Sequence, residues 1–222
     1  MNEDNSKYIP ALRYEWLTGF YDTVMDKSMR ETTFKQALVR QAQVKKGHRI
    51  LDLGCGTATL TLLIKQAHPE AQVTGLDGDP KALEIAREKV ARSGLTIPLD
   101  EGMAFDLPYP DNSFDRVFSG LLFHHLTRED KERSLKEVYR VLRPGGQLHV
   151  ADWGKASNAL MRSAFFLVQF LDGFKTTSDN VNGLLPNFFR KAGLKEGQET
   201  ARYATMFGTI ASYRAWKPFI NS

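Results

Sequence analysis

Three groups of residues in this 222-residue chain have types and spacings that could do chemistry. The first is RILDLGCGTAT, residues 49–59. An apolar run carrying one acid, Asp52, leads into Gly54-Cys55-Gly56 and then into the helix-like TLTLLIKQA. This reads as a buried parallel strand, a tight turn and a helix start. Glycines at such a junction let a ligand come against bare backbone, and the unpaired N–H groups that open the next helix face it. The second is Asp77, which closes the next apolar run, AQVTGLD. A carboxylate at that place can accept the two hydroxyls of a ribose. The third is the pair His124-His125, which follows a later apolar run and carries imidazoles that titrate in the range useful for proton transfer.

These residues need a scaffold, and the rest of the chain supplies its pattern. Residues Lys7 to Val44 read as two helices: Tyr8, Leu12, Trp16, Phe20 and Tyr21 recur at helical steps, as do Phe34, Ala37, Leu38 and Ala42, with Gly47 as the stop. After the glycine turn come a helix to Ala67 and a strand from Ala71 to Asp77. Asp79 and Pro80 suit the N-cap and first turn of a helix reaching Ser93. Strands are predicted over Thr96 to Met103, Phe114 to Ser119 and Gln147 to Ala151, with a helix from Arg128 to Leu142 stopped at Arg143-Pro144-Gly145-Gly146. A strongly apolar helix, Leu160 to Phe174, then a polar loop, KTTSDNVNG, precede a short helix, Pro186 to Ala192. The last two strands, Gly197 to Phe207 and Thr209 to Phe219, meet closely enough at Gly208 for an antiparallel hairpin.

The expected fold is therefore α/β: a Rossmann-like, doubly wound, mostly parallel sheet with an antiparallel C-terminal edge hairpin and an N-terminal helical cap. One domain over 1–222 is expected, comprising a cap (1–46), a core (47–153), a helical insertion or lid (154–185) and a closing helix and hairpin (186–222).

Composition narrows the function. Apolar content of 42% and charged content of 25% are those of a globular chain. The net charge of +4 is spread along the chain without a basic run, so nucleic acid is not an expected partner. The polar start, MNEDNSKYIP, lacks the pattern of a secretory signal, and no segment reads as membrane-spanning, so the expected location is the cytoplasm. A single cysteine, Cys55, excludes an internal disulfide and a multi-thiolate metal site; no metal is expected.

Two ligands compete for the glycine turn. A dinucleotide fingerprint wants G-x-G-x-x-G, but its third glycine is replaced by Thr59, which opposes a nicotinamide oxidoreductase. An adenosine ligand without phosphates needs the same turn and the same acid at Asp77. Together, Asp52-x-Gly54-x-Gly56, Asp77, the loop LPYPDNSFD (107–115), FHHL (123–126) and LRPGG (142–146) resemble the class I S-adenosylmethionine-dependent methyltransferases. The similarity is to the broad group that includes the ubiquinone and menaquinone C-methyltransferases, and it is weaker over the first 40 residues and over 154–185.

The resemblance implies S-adenosylmethionine as cofactor. Asp52, Gly54 and Gly56, with Cys55 between them, would hold its methionine part, Asp77 its ribose, and Gly78, Met103, Ala104 and Phe105 would surround adenine. Related sequences often carry an acid for the adenine amino group where this chain has Met103, and an apolar cover where it has Gly78. Backbone N–H groups or Asp106 would then have to read the ring edge. By family position His125 is the candidate base, with His124 and Tyr21 as further candidates. Trp153, Asp152 and Phe166 are candidates for binding the acceptor. The implied reaction is an in-line methyl transfer to a small acceptor, hydrophobic or lipid-like if the apolar helix is a lid. The alternatives are a non-catalytic cofactor-binding protein and an RNA or protein methyltransferase. Other polar residues have plainer roles: Asp79 as a helix cap, Asp111 and Asp115 as turn residues, Cys55 as packing, and Arg143 at a helix C-terminus.

Overall fold

The computed structural model of the protein describes residues 31–156 and 174–219. Tyr21, Phe166, the first predicted helix and nearly all of the predicted apolar helix lie outside the described residues. A seven-stranded sheet has the order β3-β2-β1-β4-β5-β7-β6. Its strands are β1 Arg49–Leu53, β2 Gln72–Asp77, β3 Leu99–Glu101, β4 Phe114–Gly120, β5 Leu142–Trp153, β6 Lys195–Thr205 and β7 Gly208–Trp216. The first five run parallel, and β7 enters antiparallel between β5 and β6. This is the predicted doubly wound sheet with its reversed edge hairpin. Order reverses between β1 and β4, which puts the ligand crevice of such sheets beyond the carboxyl ends of those strands.

Alternation along β1 decides which side chain meets which layer. Leu51 and Leu53 join Val117 and Val150 in a core with Leu135 and Val138 of α4 (Arg128–Val141) and Phe188 and Phe189 of α6 (Leu185–Lys191). Ile50 faces the other way, with Phe34 and Leu38 of α1 (Glu31–Gln41) and Leu60 and Ile64 of α2 (Thr59–Ala67). Between β2 and β3, α3 (Pro80–Arg92) starts from Asp79, whose carboxylate accepts the Lys81 N–H at 2.9 Å, the predicted cap.

Several expectations are corrected. The segment read as a polar loop is helical, α5 Phe174–Val181. Its polar side chains, Thr176, Thr177, Asp179 and Asn180, are buried, so the hydropathy pattern carried no helical signal. They are held by charge instead: the fully buried Lys131 of α4 donates to the Thr176 carbonyl at 2.5 Å and lies 3.7 Å from Asp179, which also pairs with Arg128. Strand β5 starts at Leu142 rather than Gln147, because pairing with β4 resumes after Arg143–Gly146 bulge out of register. Strand β3 is only three residues long, and α1 ends at Gln41, six residues before Gly47. Arg143 does not cap a helix. It grips Asp115 with contacts of 3.0 and 3.1 Å and donates to the Asn112 carbonyl, tying the start of β4 to the bulge.

Candidate functional site

A cavity of about 440 Å3 opens beyond the carboxyl ends of β1, β2 and β4. That is the size of small-molecule sites. Its floor is the glycine turn. Gly54 and Cys55 both donate their N–H to the Leu76 carbonyl, at 2.8 and 3.0 Å, which folds the turn back onto β2. Gly54, Gly56 and Ala58 all have positive φ, so the chain enters α2 through left-handed residues. A Cβ on Gly54 would lie 2.8 Å from the Leu122 side chain, whereas one on Gly56 would meet only open space.

Asp77 crosses from β2 to this turn. Its Oδ2 accepts the Gly56 N–H at 2.7 Å and its Oδ1 accepts the Asp79 N–H at 2.9 Å. Both oxygens keep lone pairs for a ligand in the cavity, which the residue lines. Burial raises its pKa, and the backbone donors oppose that rise.

Asp52 is placed differently from the expectation. The pleat turns it toward α1 and α2, where it is buried and does not line the cavity. Thr61 Oγ1 donates to one oxygen at 2.6 Å, while the other has no hydrogen-bond partner among the described residues. Burial pushes this carboxyl up to about 6, against the Thr61 hydrogen bond and the Lys35 charge, which favour ionisation. Cys55 is buried and its thiol is pushed far up by burial, which makes it a packing residue rather than a nucleophile.

The far wall comes from the loop after β3 and the start of α4. Met103, Ala104 and Phe105 line it, whereas Asp106 is exposed and outside the lining. The two departures at Gly78 and Met103 have one cause: a Cβ on Gly78 would sit 2.8 Å from the Met103 sulfur. The thioether therefore occupies the space that a side chain at position 78 would fill.

The two histidines part company. His125 lines the cavity, and enclosure together with the neighbouring His124 lowers its pKa well below the usual imidazole value. His124 turns inward, its Nδ1 2.8 Å from Asp152 Oδ1. That carboxylate also accepts the backbone N–H groups of Phe123 and Trp153, both at 2.7 Å. The rings of the two histidines lie 3.9 Å apart. Asp152 and Trp153, read as acceptor-binding, are buried behind this pair and do not line the cavity.

Three charged lining side chains escaped the sequence reading. Glu31 and Lys35 of α1 form an ion pair one helical turn apart and reach the cavity near Gly120. In sequence they are an ordinary solvated i,i+4 pair. Asp130 of α4 exchanges hydrogen bonds with Thr127 and so reads as part of a helix cap. Among the described residues no His, Cys, Asp or Glu cluster could hold a metal, and no helix is long and apolar enough to cross a membrane.

Comparisons with known proteins fit this geometry. The family described as methyltransferase domain matches residues 50–146. The chain is 35% identical over 171 residues to a demethylmenaquinone methyltransferase of Symbiobacterium thermophilum, covering 74% of this chain and 66% of that one. It is 37% identical over 139 residues to the Listeria monocytogenes protein of the same name, covering 58% of each. The chain thus spans between 58% and 66% of these relatives' length. Among solved structures, a Haemonchus contortus phosphoethanolamine N-methyltransferase in complex with S-adenosylhomocysteine superposes with a TM-score of 0.68 at 18% identity. That match covers 84% of this chain and 52% of that one, and it shows the shared fold.

Proposed function

We propose that the chain is a class I S-adenosylmethionine-dependent methyltransferase that transfers a methyl group from S-adenosylmethionine to a small apolar acceptor of the quinol type. The observation that carries the reading is the Asp77 carboxylate, fixed by two backbone N–H groups on the edge of a cavity floored by Gly54 and Gly56.

The residues present fit the cofactor. Asp77 offers lone pairs to the ribose hydroxyls, the open side of Gly56 admits the chain beyond, and Lys35 with Glu31 match the carboxylate and ammonium of the amino-acid end. Met103 would pack on adenine in place of a side chain at Gly78. Bound there, S-adenosylmethionine supplies a methyl group on a positively charged sulfur, open to in-line displacement without a covalent enzyme intermediate.

The chain's own contribution is then position and proton traffic. Held below its usual pKa, His125 is neutral at pH 7 and can accept the proton that an acceptor hydroxyl or acidic carbon must lose. Asp152, itself clamped by two N–H groups, orients His124, and His124 in turn abuts the His125 ring. The pair thus fixes the base from behind while the cavity face stays clear. Leu121 and Leu122 close the same side; Leu121 adopts φ 61°, an uncommon conformation for a leucine and one found at sites that function holds in place.

The acceptor class rests on the names of the relatives, the demethylmenaquinone methyltransferases. Incubation with cofactor carrying a labelled methyl group and separate acceptors tests it. Label should pass to a reduced 2-polyprenyl-1,4-naphthoquinone and not to ethanolamine phospholipids or RNA. Transfer to either of the latter and not to the quinol would contradict the proposed acceptor.

A further inference from the structure

The adenine end of the cavity presents a problem of unpaired polarity. A purine amino group buried without an acceptor costs free energy, so a site selective for adenine must offer one. The wall that Met103, Ala104 and Phe105 build offers only apolar side chains, and Asp106 next to them is exposed and outside the lining.

Only three carboxylates line the cavity among the described residues: Glu31, Asp77 and Asp130. Glu31 is paired with Lys35, whose chain runs beside Gly120, on the β4 side of the glycine turn. Asp77 is bound to the turn itself. Asp130 is tied to the apolar wall through one neighbour: Arg133 lies 3.8 Å from Asp130 Oδ1 and its guanidinium sits 4.5 Å above the Phe105 ring. The same α4 is fastened to the loop beyond Phe105, since Glu137 accepts the Leu107 N–H at 2.8 Å and Arg140 donates to the Leu107 and Tyr109 carbonyls. The start of α4 and the apolar wall therefore form one rigid corner.

Resting on the cofactor reading above, we propose that Asp130 is the residue that selects adenine, its carboxylate accepting the exocyclic amino group of the cofactor's base. Met103 and Asp130 divide one task. The thioether fills the space over Gly78 and packs on the ring, and the carboxylate comes from α4 because the loop after β3 has given its polar position to packing. Thr127 Oγ1 donates to Asp130 Oδ2 at 2.7 Å, which fixes the carboxylate while leaving lone pairs on both oxygens.

Base selectivity is what a merely structural role for Asp130 would not change. Calorimetric affinities are to be measured for S-adenosylhomocysteine and for S-inosylhomocysteine, in which a carbonyl replaces the amino group. The wild-type protein should prefer the adenine compound by roughly tenfold to a hundredfold, the worth of a hydrogen bond to a charged acceptor. Asp130→Ala should reduce that preference to within about threefold, because a lost charged acceptor removes most of that difference. Asp130→Asn keeps an oxygen for Thr127 and so protects the start of α4, and it should shift the preference toward the inosine compound, whose carbonyl an amide can donate to. Met103→Asp added to Asp130→Ala should restore the preference for adenine. Binding of S-adenosylhomocysteine with an unchanged ratio in both single variants would overturn the assignment. Failure of the wild-type protein to bind either compound would overturn the cofactor reading itself, and the assignment with it.

Discussion

Asp52 and His125 show how position rather than residue type decides what a titratable group does. The pleat of β1 sends Asp52 away from the cavity, into a layer where Thr61 supplies its one described hydrogen bond and burial lifts its pKa to about 6. A carboxyl raised in the folded state binds its proton more tightly there than in the unfolded chain. The stability it contributes is complete below the ordinary carboxyl range and is lost as pH rises through about 6. Urea unfolding of wild type and Asp52→Asn, compared at pH 4 and pH 7, should therefore show wild type losing ground to the variant at the higher pH. An unchanged difference would place the Asp52 pKa at its ordinary value. Burial favours the neutral form of His125 as well, but there the shift has the opposite sign: with its pKa pushed down the imidazole stays neutral in acid, so kcat/KM should hold level further into acid than an exposed imidazole would allow. His125→Gln should lower kcat about a hundredfold with cofactor affinity within about threefold of wild type, the range of a lost general base. Equal losses in both would make His125 a binding residue.

Elements were legible in the sequence where their burial is apolar and local. Strands β1, β2 and β4, the glycine turn and the Asp79 cap all carry their signal within a dozen residues. Helix α5 was not legible, because its buried face is Thr176, Thr177, Asp179 and Asn180, and the groups that hold it, Lys131 and Arg128, lie on another helix. The same non-locality hid Glu31, Lys35 and Asp130, each of which looks like an ordinary helix residue until the sheet brings it to the cavity. It also misassigned Asp152 and Trp153, whose place past β5 is right but whose side chains point behind the wall. Lys131→Met would strand Asp179 with only Arg128, and should cost about 2–4 kcal/mol with loss of hydrogen-exchange protection in α5 first. The glycine turn gives a paired test. Gly54→Ala forces a Cβ against Leu122 at φ 71° and should lower stability by about 2 kcal/mol. Gly56→Ala has open space for its Cβ and bears only the strain of φ 52°, so its larger effect should be on cofactor affinity. Calorimetric unfolding and cofactor titration of both variants separate the two effects, and equal behaviour would contradict the description of the turn.

At the scale of the molecule, seven strands in one continuous sheet with apolar layers on both faces should unfold as a single cooperative unit, and the cavity sits where strand order reverses within it. A ligand bound there should stabilise the whole. At a hundred times its Kd, S-adenosylhomocysteine should raise stability by about 2.7 kcal/mol, a shift of roughly 6–10 °C in one transition. Two transitions, only one of them moved by ligand, would divide the chain into separate units. The central claim, that Asp77 and the glycine turn form an S-adenosylmethionine site, is tested most directly by isothermal titration of S-adenosylmethionine into wild type and Asp77→Ala. One site per chain is predicted, with affinity falling roughly a hundredfold in the variant as two charge-assisted hydrogen bonds are lost. No binding by wild type, or equal binding by both, would contradict the account.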